Sequence, residues 1–261
     1  MDRFKRLMIV VPIVVVAFLV ATACCPPNIF KQTQDLKRLG EELKKETDKL
    51  TNLVVPPTAP TLSAGEKDLI KNGDFADGTT GWQTRTQGGS KVEGMNDVTV
   101  RAVGDFHVLE VKRTQGDSDG GGAFAWQEPN EDVSNYTSMT VRMAVDPINE
   151  EGGNIGGTQP QWFPEGPCQI RIYYTDVNGA DAEWYHGFYY SSVSGADMNK
   201  WTQVPQALWY SYTSTNLMDI SPKPKLIKKV EVYGFGWNFT GYIMKCGIPL
   251  MIRSSLDSFQ A

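Results

Sequence analysis

Beyond residue 65 the apolar residues of this chain recur at every second position, and that period constrains the fold more than any other feature of the sequence. Met139, Val141, Met143 and Val145 alternate with Ser138, Thr140, Arg142 and Ala144. Ile170, Ile172 and Tyr174 alternate with Gln169, Arg171 and Tyr173, and Val230 and Val232 with Glu231 and Tyr233. Successive side chains of a strand point to opposite faces, so each run predicts a strand with one face buried. Further strands are expected near 68–71, 98–103, 107–114, 122–127, 182–191, 201–204, 207–213 and 241–252, with no helix among them. Roughly ten short strands separated by turn signals point to an all-β fold, an antiparallel β-sandwich or jelly roll, over residues 66–261. Asp176-Val-Asn-Gly179 separates two of these runs, and Asn-Gly in such a place signals a hairpin.

Upstream the period changes. Ile29, Leu36, Leu43 and Leu50 recur every seven residues, with Leu39 and Leu53 at the second seam position. Residues 26–54 therefore read as one amphipathic heptad helix. A helix of this length is marginal in water unless its seam is covered, so it reads as a stalk that forms a homo-oligomer through residues 28–54 or docks on a partner. Pro56, Pro57 and Pro60 make 55–65 a semi-extended linker and put a domain boundary near residue 66.

Residues 1–25 form a third kind of sequence. Arg3, Lys5 and Arg6 precede an apolar run over 7–23 that ends at Cys24 and Cys25. A basic flank, an apolar stretch and small residues before a cysteine are the parts of a secretory targeting segment, with the basic end kept in the cytosol. Ala21-Thr22-Ala23-Cys24 resembles a bacterial lipobox, although Ala21 stands where that pattern prefers Leu, and the resemblance implies lipidation of Cys24. In a rival reading the segment stays as a single span, since roughly 17 residues at about 1.5 Å each reach about 26 Å, near the lower limit for a bilayer. Complete release is the third reading. Lipidation and retention both leave a membrane anchor, with the rest of the chain on the extracytoplasmic face of the cell membrane.

Charge narrows the partners. Of 25 Lys/Arg and 30 Asp/Glu, nine and six lie in residues 1–65, so that part carries +3 and the remainder −8 of the net −5. An acidic domain argues against nucleic acid as a partner. Cys168 and Cys246 are the thiols beyond the anchor, and in an oxidising compartment they are candidates for one disulfide, with two buried free thiols as the alternative. His107 and His186 are the only histidines, too few for a zinc or haem site.

The stretch Leu69-Ile-Lys-Asn-Gly-Asp-Phe-Ala-Asp-Gly-Thr-Thr-Gly-Trp82 resembles the opening of the galactose-binding-like carbohydrate-binding modules, in which a first strand runs into an Asn-Gly-Asp/Asn-Phe turn and a Gly-Trp pair. Phe124-Ala-Trp-Gln127 and Asp132-Val-Ser-Asn-Tyr136 are similar to later parts of that family, so the resemblance spans about residues 66–252. It implies a sandwich whose core is closed at one end by Phe75 and Trp82. Of cofactors it implies at most a structural calcium, for which Asp74 and Asp77 are the candidates. Lys245 stands where the family carries an acidic residue, and a cation there opposes Ca²⁺.

Sugars need flat aromatic platforms with polar groups at their edges. In the strand over 182–190, alternation puts Trp184, His186, Phe188 and Tyr190 on the core side, which makes His186 an interior residue. Tyr185 and Tyr189 fall on the other side, where Arg171 and Tyr173 join them across the hairpin and Tyr233, Phe235 and Trp237 from a later strand. That set is the candidate ligand-binding face. A second candidate is the Gly- and Pro-rich segment over 148–167, read as irregular, which carries Trp162 and Phe163.

No GxSxG elbow, phosphate loop or HExxH helix is present, so the chain reads as a non-enzyme. Two functions compete. One is a membrane-anchored, lectin-like protein that binds a glycan or cell-envelope polysaccharide. The other is an accessory or scaffolding subunit that docks on a neighbouring membrane protein through the heptad helix and the aromatic faces.

Overall fold

The computed structural model describes residues 38–40, 62–88, 95–116 and 119–252. The anchor with Cys24, the linker up to residue 61, and all of the heptad helix except 38–40 lie outside the described residues. The chain divides into two units, Met1–Leu50 and Thr51–Ala261. In the first, residues 38–40 are helical and exposed. Among the described residues no helix is long and apolar enough to cross a membrane.

Three sheets make up the described part of the second unit. The largest has seven strands: β2 (Gln83–Gln87), β5 (Gly121–Gln127), β6 (Glu131–Asp132), β9 (Gly166–Asp176), β10 (Asp181–Tyr189), β11 (Trp201–Gln203) and β13 (Pro224–Gly236). Their order is β11-β10-β9-β13-β5-β2, with β6 beside β13. The second sheet has five strands: β3 (Met95–Val103), β4 (Phe106–Thr114), β8 (Arg142–Glu151), β12 (Tyr210–Thr213) and β14 (Asn238–Gly247), in the order β12-β8-β14-β4-β3. A three-stranded sheet, β1 (Glu66–Asp68), β15 (Pro249–Ile252) and β7 (Tyr136–Met139), has β15 in the middle. The expected β-sandwich is the architecture found.

Alternation places the core. Ile170, Ile172, Val230, Val232 and Phe188 of the seven-stranded sheet and Leu109, Val111, Val145 and Ile243 of the five-stranded sheet belong to one buried cluster. Phe75 and Trp82 belong to it too, their rings 5.3 Å apart. Asn72 holds their turn, donating through Nδ2 to the carbonyls of Gly78 and Thr80 and accepting from the Asp77 amide. His186 faces the core as expected. Its Nε2 lies 2.9 Å from Thr202 Oγ1, its ring stacks on Tyr212 at 4.4 Å, and burial pulls its pKa down to about 4.

Four sequence expectations need correction. The run over 241–252 is two strands of different sheets, β14 and β15, broken after Gly247. The sandwich is not wholly antiparallel, because β11 returns parallel to β10 after a crossover. The segment over 148–167 is not irregular throughout: its first residues extend β8 to Glu151 and its last begin β9 at Gly166. Finally, Cys168 and Cys246 are free, buried thiols rather than a disulfide. Cys168 Sγ lies 3.7 Å from the carbonyl of Tyr242, and Cys246 is four residues further along β14, roughly 13 Å away at strand rise. Burial pushes both thiols well above their usual pKa, which keeps them unreactive.

Candidate functional site

Strand register builds a polar and aromatic lattice on the outward face of the seven-stranded sheet. Arg171 on β9 stands opposite Tyr185 on β10 and Glu231 on β13. Tyr173 stands opposite Glu183 and Lys229, and Tyr233 opposite Gln169 and Phe124. Because a strand repeats every two residues, all of these side chains leave the sheet on the side away from the core.

Two buried charges organise the lattice. Glu231, 2% exposed, accepts from Lys229 at 3.0 Å, from Tyr173 Oη at 3.4 Å and from Arg85 at 3.5 Å. Arg171 donates to Tyr233 Oη at 2.9 Å and to Tyr173 Oη at 3.4 Å, and faces Glu183 at 3.7 Å. Its guanidinium lies 5.2 Å from the Phe163 ring centre and 5.4 Å from those of Tyr185 and Tyr233. Burial pushes the Tyr233 phenol up, so it stays neutral and serves as a hydrogen-bonding group.

A shaped loop over 152–165 rises beside this lattice, and Asn154 is its hub. Fully buried, Asn154 donates through Nδ2 to the carbonyls of Gln159, Trp162 and Phe163, each at 3.1 Å, and its Oδ1 accepts from the Gln159 amide at 2.6 Å. Its own amide donates to Glu165 Oε2 at 2.6 Å. These bonds satisfy backbone groups that no strand pairs, and they present Trp162 and Phe163 to solvent, 57% and 44% exposed. Below them opens a cleft of about 740 Å³, walled by Trp162, Phe163 and Tyr185 and edged by Arg171, Glu183 and Lys200. Lys200 Nζ lies 4.8 Å from the Tyr185 ring centre. A second hollow of about 400 Å³ opens on the other side of Trp162 and Phe163, closed by Phe235, Trp237 and Glu165.

Of the sequence-derived ligand-binding residues, Trp162, Arg171 and Tyr185 meet in the cleft, and Trp237 lines the second hollow. Tyr173 is half-buried on the same face, held by Arg171 and Glu231. Tyr189 and Tyr233 are buried and line neither hollow. Tyr233 is fully buried, stacked on Phe124 at 5.2 Å under Arg171, and Tyr189 is buried edge-on against Trp201 with its hydroxyl 3.8 Å from Met198 Sδ. Both point to the expected side of the sheet but are covered there by neighbouring side chains.

Asp74 and Asp77 are exposed, and Asp74 Oδ1 accepts from the Ala76 amide at 3.3 Å, the bond of a turn residue. No group of three or more His, Cys, Asp or Glu side chains gathers as a metal set among the described residues. Lys245, which stands where the resemblance expects an acidic residue, is buried over the Phe106 ring at 4.7 Å. Sequence reasoning missed Lys200, Glu165 and Glu231, and left out of the set Glu183, which alternation puts on the side of Tyr185. Each is an ordinary charged residue in the sequence, and only the cross-strand register and the folded loop give it a role.

Comparison by sequence finds no matching protein family and no matching curated protein. Among solved structures, the chain is similar to the family 11 carbohydrate-binding module of a cellulosomal cellulase of Clostridium thermocellum, at 12% identity over 72% of this chain and 95% of that one, TM-score 0.41. It is also similar to the CBM22-1 xylan-binding domain from Paenibacillus barcinonensis, at 13% identity over 73% and 98%, TM-score 0.39. A third similar structure is the enzymatically active domain of tailspike protein 4 of bacteriophage CBA120, at 8% identity over 70% of this chain and 21% of that one, TM-score 0.39. Likenesses this distant assign no ligand to the cleft.

Proposed function

We propose that this protein is a non-catalytic binding protein that holds a glycan, such as a cell-envelope polysaccharide, in the cleft under Trp162. The observation that carries the reading is the composition of that cleft. Aromatic rings of Trp162, Phe163 and Tyr185 stand around Arg171, Glu183, Asp197 and Lys200, two cations and two anions. Rings offer the apolar faces that a pyranose stacks on, and planar charged groups offer paired donors and acceptors to its hydroxyls. The balanced charges favour an uncharged ligand over an anionic one, and the −8 carried by residues 66–261 works in the same direction.

Support for the address comes from the sequence. The basic flank and apolar run of residues 1–25 support an extracytoplasmic address at the cell membrane, with a lipidated Cys24 or a retained span as the anchor. No metal or other cofactor enters this reading.

Affinity electrophoresis of the purified full chain through gels containing soluble polysaccharides tests it. One polysaccharide of the panel retards the protein saturably, and Trp162→Ala and Tyr185→Ala each weaken retention about tenfold, the scale of one lost aromatic stacking contact. Equal mobility of the two variants and the parent in every gel, or release of reducing sugar from the retained polymer, sinks the proposal.

A further inference from the structure

The second hollow has a chemistry different from the cleft. Its walls are four aromatic side chains, Trp162, Phe163, Phe235 and Trp237, around one carboxylate, Glu165. The rings converge: Phe163 and Phe235 have centroids 4.4 Å apart. A carbon at the position of a Cβ on Gly153 would sit 3.1 Å from Trp237 Cζ2 and 3.7 Å from Trp162 Cζ3. One at the position of a Cβ on Gly120 would sit 2.9 Å from Phe235 Cε1 and 3.2 Å from Glu165 Oε1. At both positions a side chain would crowd the rings and the carboxylate, so the glycines let these walls of the hollow pack directly against the backbone.

Glu165 is buried, and its Oε2 is occupied by the Asn154 amide while Oε1 turns to the Gly120 side of the hollow. Burial pushes its carboxyl above the usual range, against the pull of the Asn154 and Gly153 amides, so a cation in the hollow would offset a desolvation that the protein alone bears. The cation of Arg171 lies over the Phe163 ring at 5.2 Å and lines the neighbouring cleft, not this hollow.

We infer that this hollow binds a quaternary ammonium group, a choline-type substituent carried by the same ligand that occupies the cleft. The electron-rich faces of aromatic rings attract a desolvated cation, and a carboxylate adds charge complementarity. A primary ammonium brings three N–H donors that need acceptors, and the side chains here offer one carboxylate. A methylated ammonium has no N–H, and its methyl groups spread the charge over surfaces that rings contact. Trp162 and Phe163 wall both the cleft and the hollow, which places the substituent next to the bound chain. That last step rests on the glycan reading, and the ammonium site itself does not.

Titrating the full chain with choline chloride, read by tryptophan fluorescence and calorimetry, tests the site. Choline quenches the emission saturably, and Phe235→Leu and Glu165→Gln each weaken binding at least tenfold. Tyr185→Ala leaves free choline unaffected while weakening a polysaccharide, which separates failure of this site from failure of the cleft. Because Glu165 also holds the loop, Phe235→Leu decides if Glu165→Gln does not fold. A phosphocholine-bearing polysaccharide displaces choline, and the same polymer stripped of phosphocholine does not. Equal affinity for 3,3-dimethylbutan-1-ol, which has the shape without the charge, overturns the inference, as does undiminished choline binding in Phe235→Leu or displacement by the stripped polymer.

Discussion

The outward faces of the two large sheets hold their buried charges differently. On the seven-stranded sheet each buried charge has cross-strand partners, Glu231 with Lys229, Arg85 and Tyr173, and Arg171 with Tyr233, Tyr173 and Glu183, although Arg171 Nε and Gln169 Oε1 make no hydrogen bond. The five-stranded sheet carries a small apolar cluster, Val108, Ala144, Met244 and Trp209, and near it Asp146 Oδ1 and Lys245 Nζ are buried with no hydrogen-bond partner. Burying a polar group without a partner costs free energy, whereas pairing it fixes geometry. The first face thus links its charged groups across strands and borders a cleft, while Asp146 Oδ1 and Lys245 Nζ on the second are buried without a hydrogen bond.

Matched substitutions break the comparison most sharply. Arg171→Met keeps an unbranched apolar stem and removes the guanidinium with its hydrogen bonds and ring contacts, so it should destabilise the fold by about 3 kcal/mol in urea denaturation. Lys245→Met removes a buried charge that has no hydrogen bond and only the Phe106 ring beside it, and should leave stability unchanged or raise it. Equal losses at the two positions would show that the faces do not differ as described.

Asn154→Ala comes next in size. It orphans three carbonyls and the Gln159 amide, and water reaches some of them, so the expected loss is about 2 kcal/mol. Its larger consequence is local: hydrogen exchange over 155–164 should accelerate and ligand retention should fall, because Trp162 and Phe163 lose their support. Unchanged exchange over that segment would remove Asn154 as the hub of the loop.

The sandwich was legible because period two is a property of the sequence itself. The runs around Ile170 and Val230 each became one strand of the core, the run around Val141 split at 140–141 into β7 and β8 of different sheets, and Asp176 and Gly179 did close a hairpin, their backbones bonded at 3.0 Å. The outward face was legible in the same way: alternation put Arg171, Tyr173, Tyr185 and Tyr233 on one side of one sheet. What alternation does not carry is depth. Whether Tyr233 or Tyr185 meets solvent depends on the height of the side chains around it, and Phe124 and Arg171 come from strands distant in sequence. Glu165 is a sharper case. Only the folding of the loop around Asn154 turns it from a surface acid between Pro164 and Gly166 into the floor of an aromatic hollow.

The smallest expected effect concerns the unpaired acid. Burial raises the pKa of Asp146 to about 6, from about 3.8 in an unfolded chain. The native state then binds the proton more tightly, so Asp146 favours folding below pH 4 and that contribution is lost as the pH rises through 6. His186 runs the other way: its folded value of about 4 lies below the 6.5 of a free imidazole, so stability falls as the pH drops from 6.5 towards 4. The two slopes oppose each other in the same window. Asp146→Asn removes one slope and leaves the other. Two pKa units correspond to about 3 kcal/mol, which solvent screening reduces to about 1–2 kcal/mol. Urea denaturation of both proteins at pH 4 and pH 7.5 should therefore show the variant gaining about 1–2 kcal/mol more than the parent between those values. Parallel profiles would mean that Asp146 finds a partner, and the contrast between the two faces would lose its clearest energetic sign.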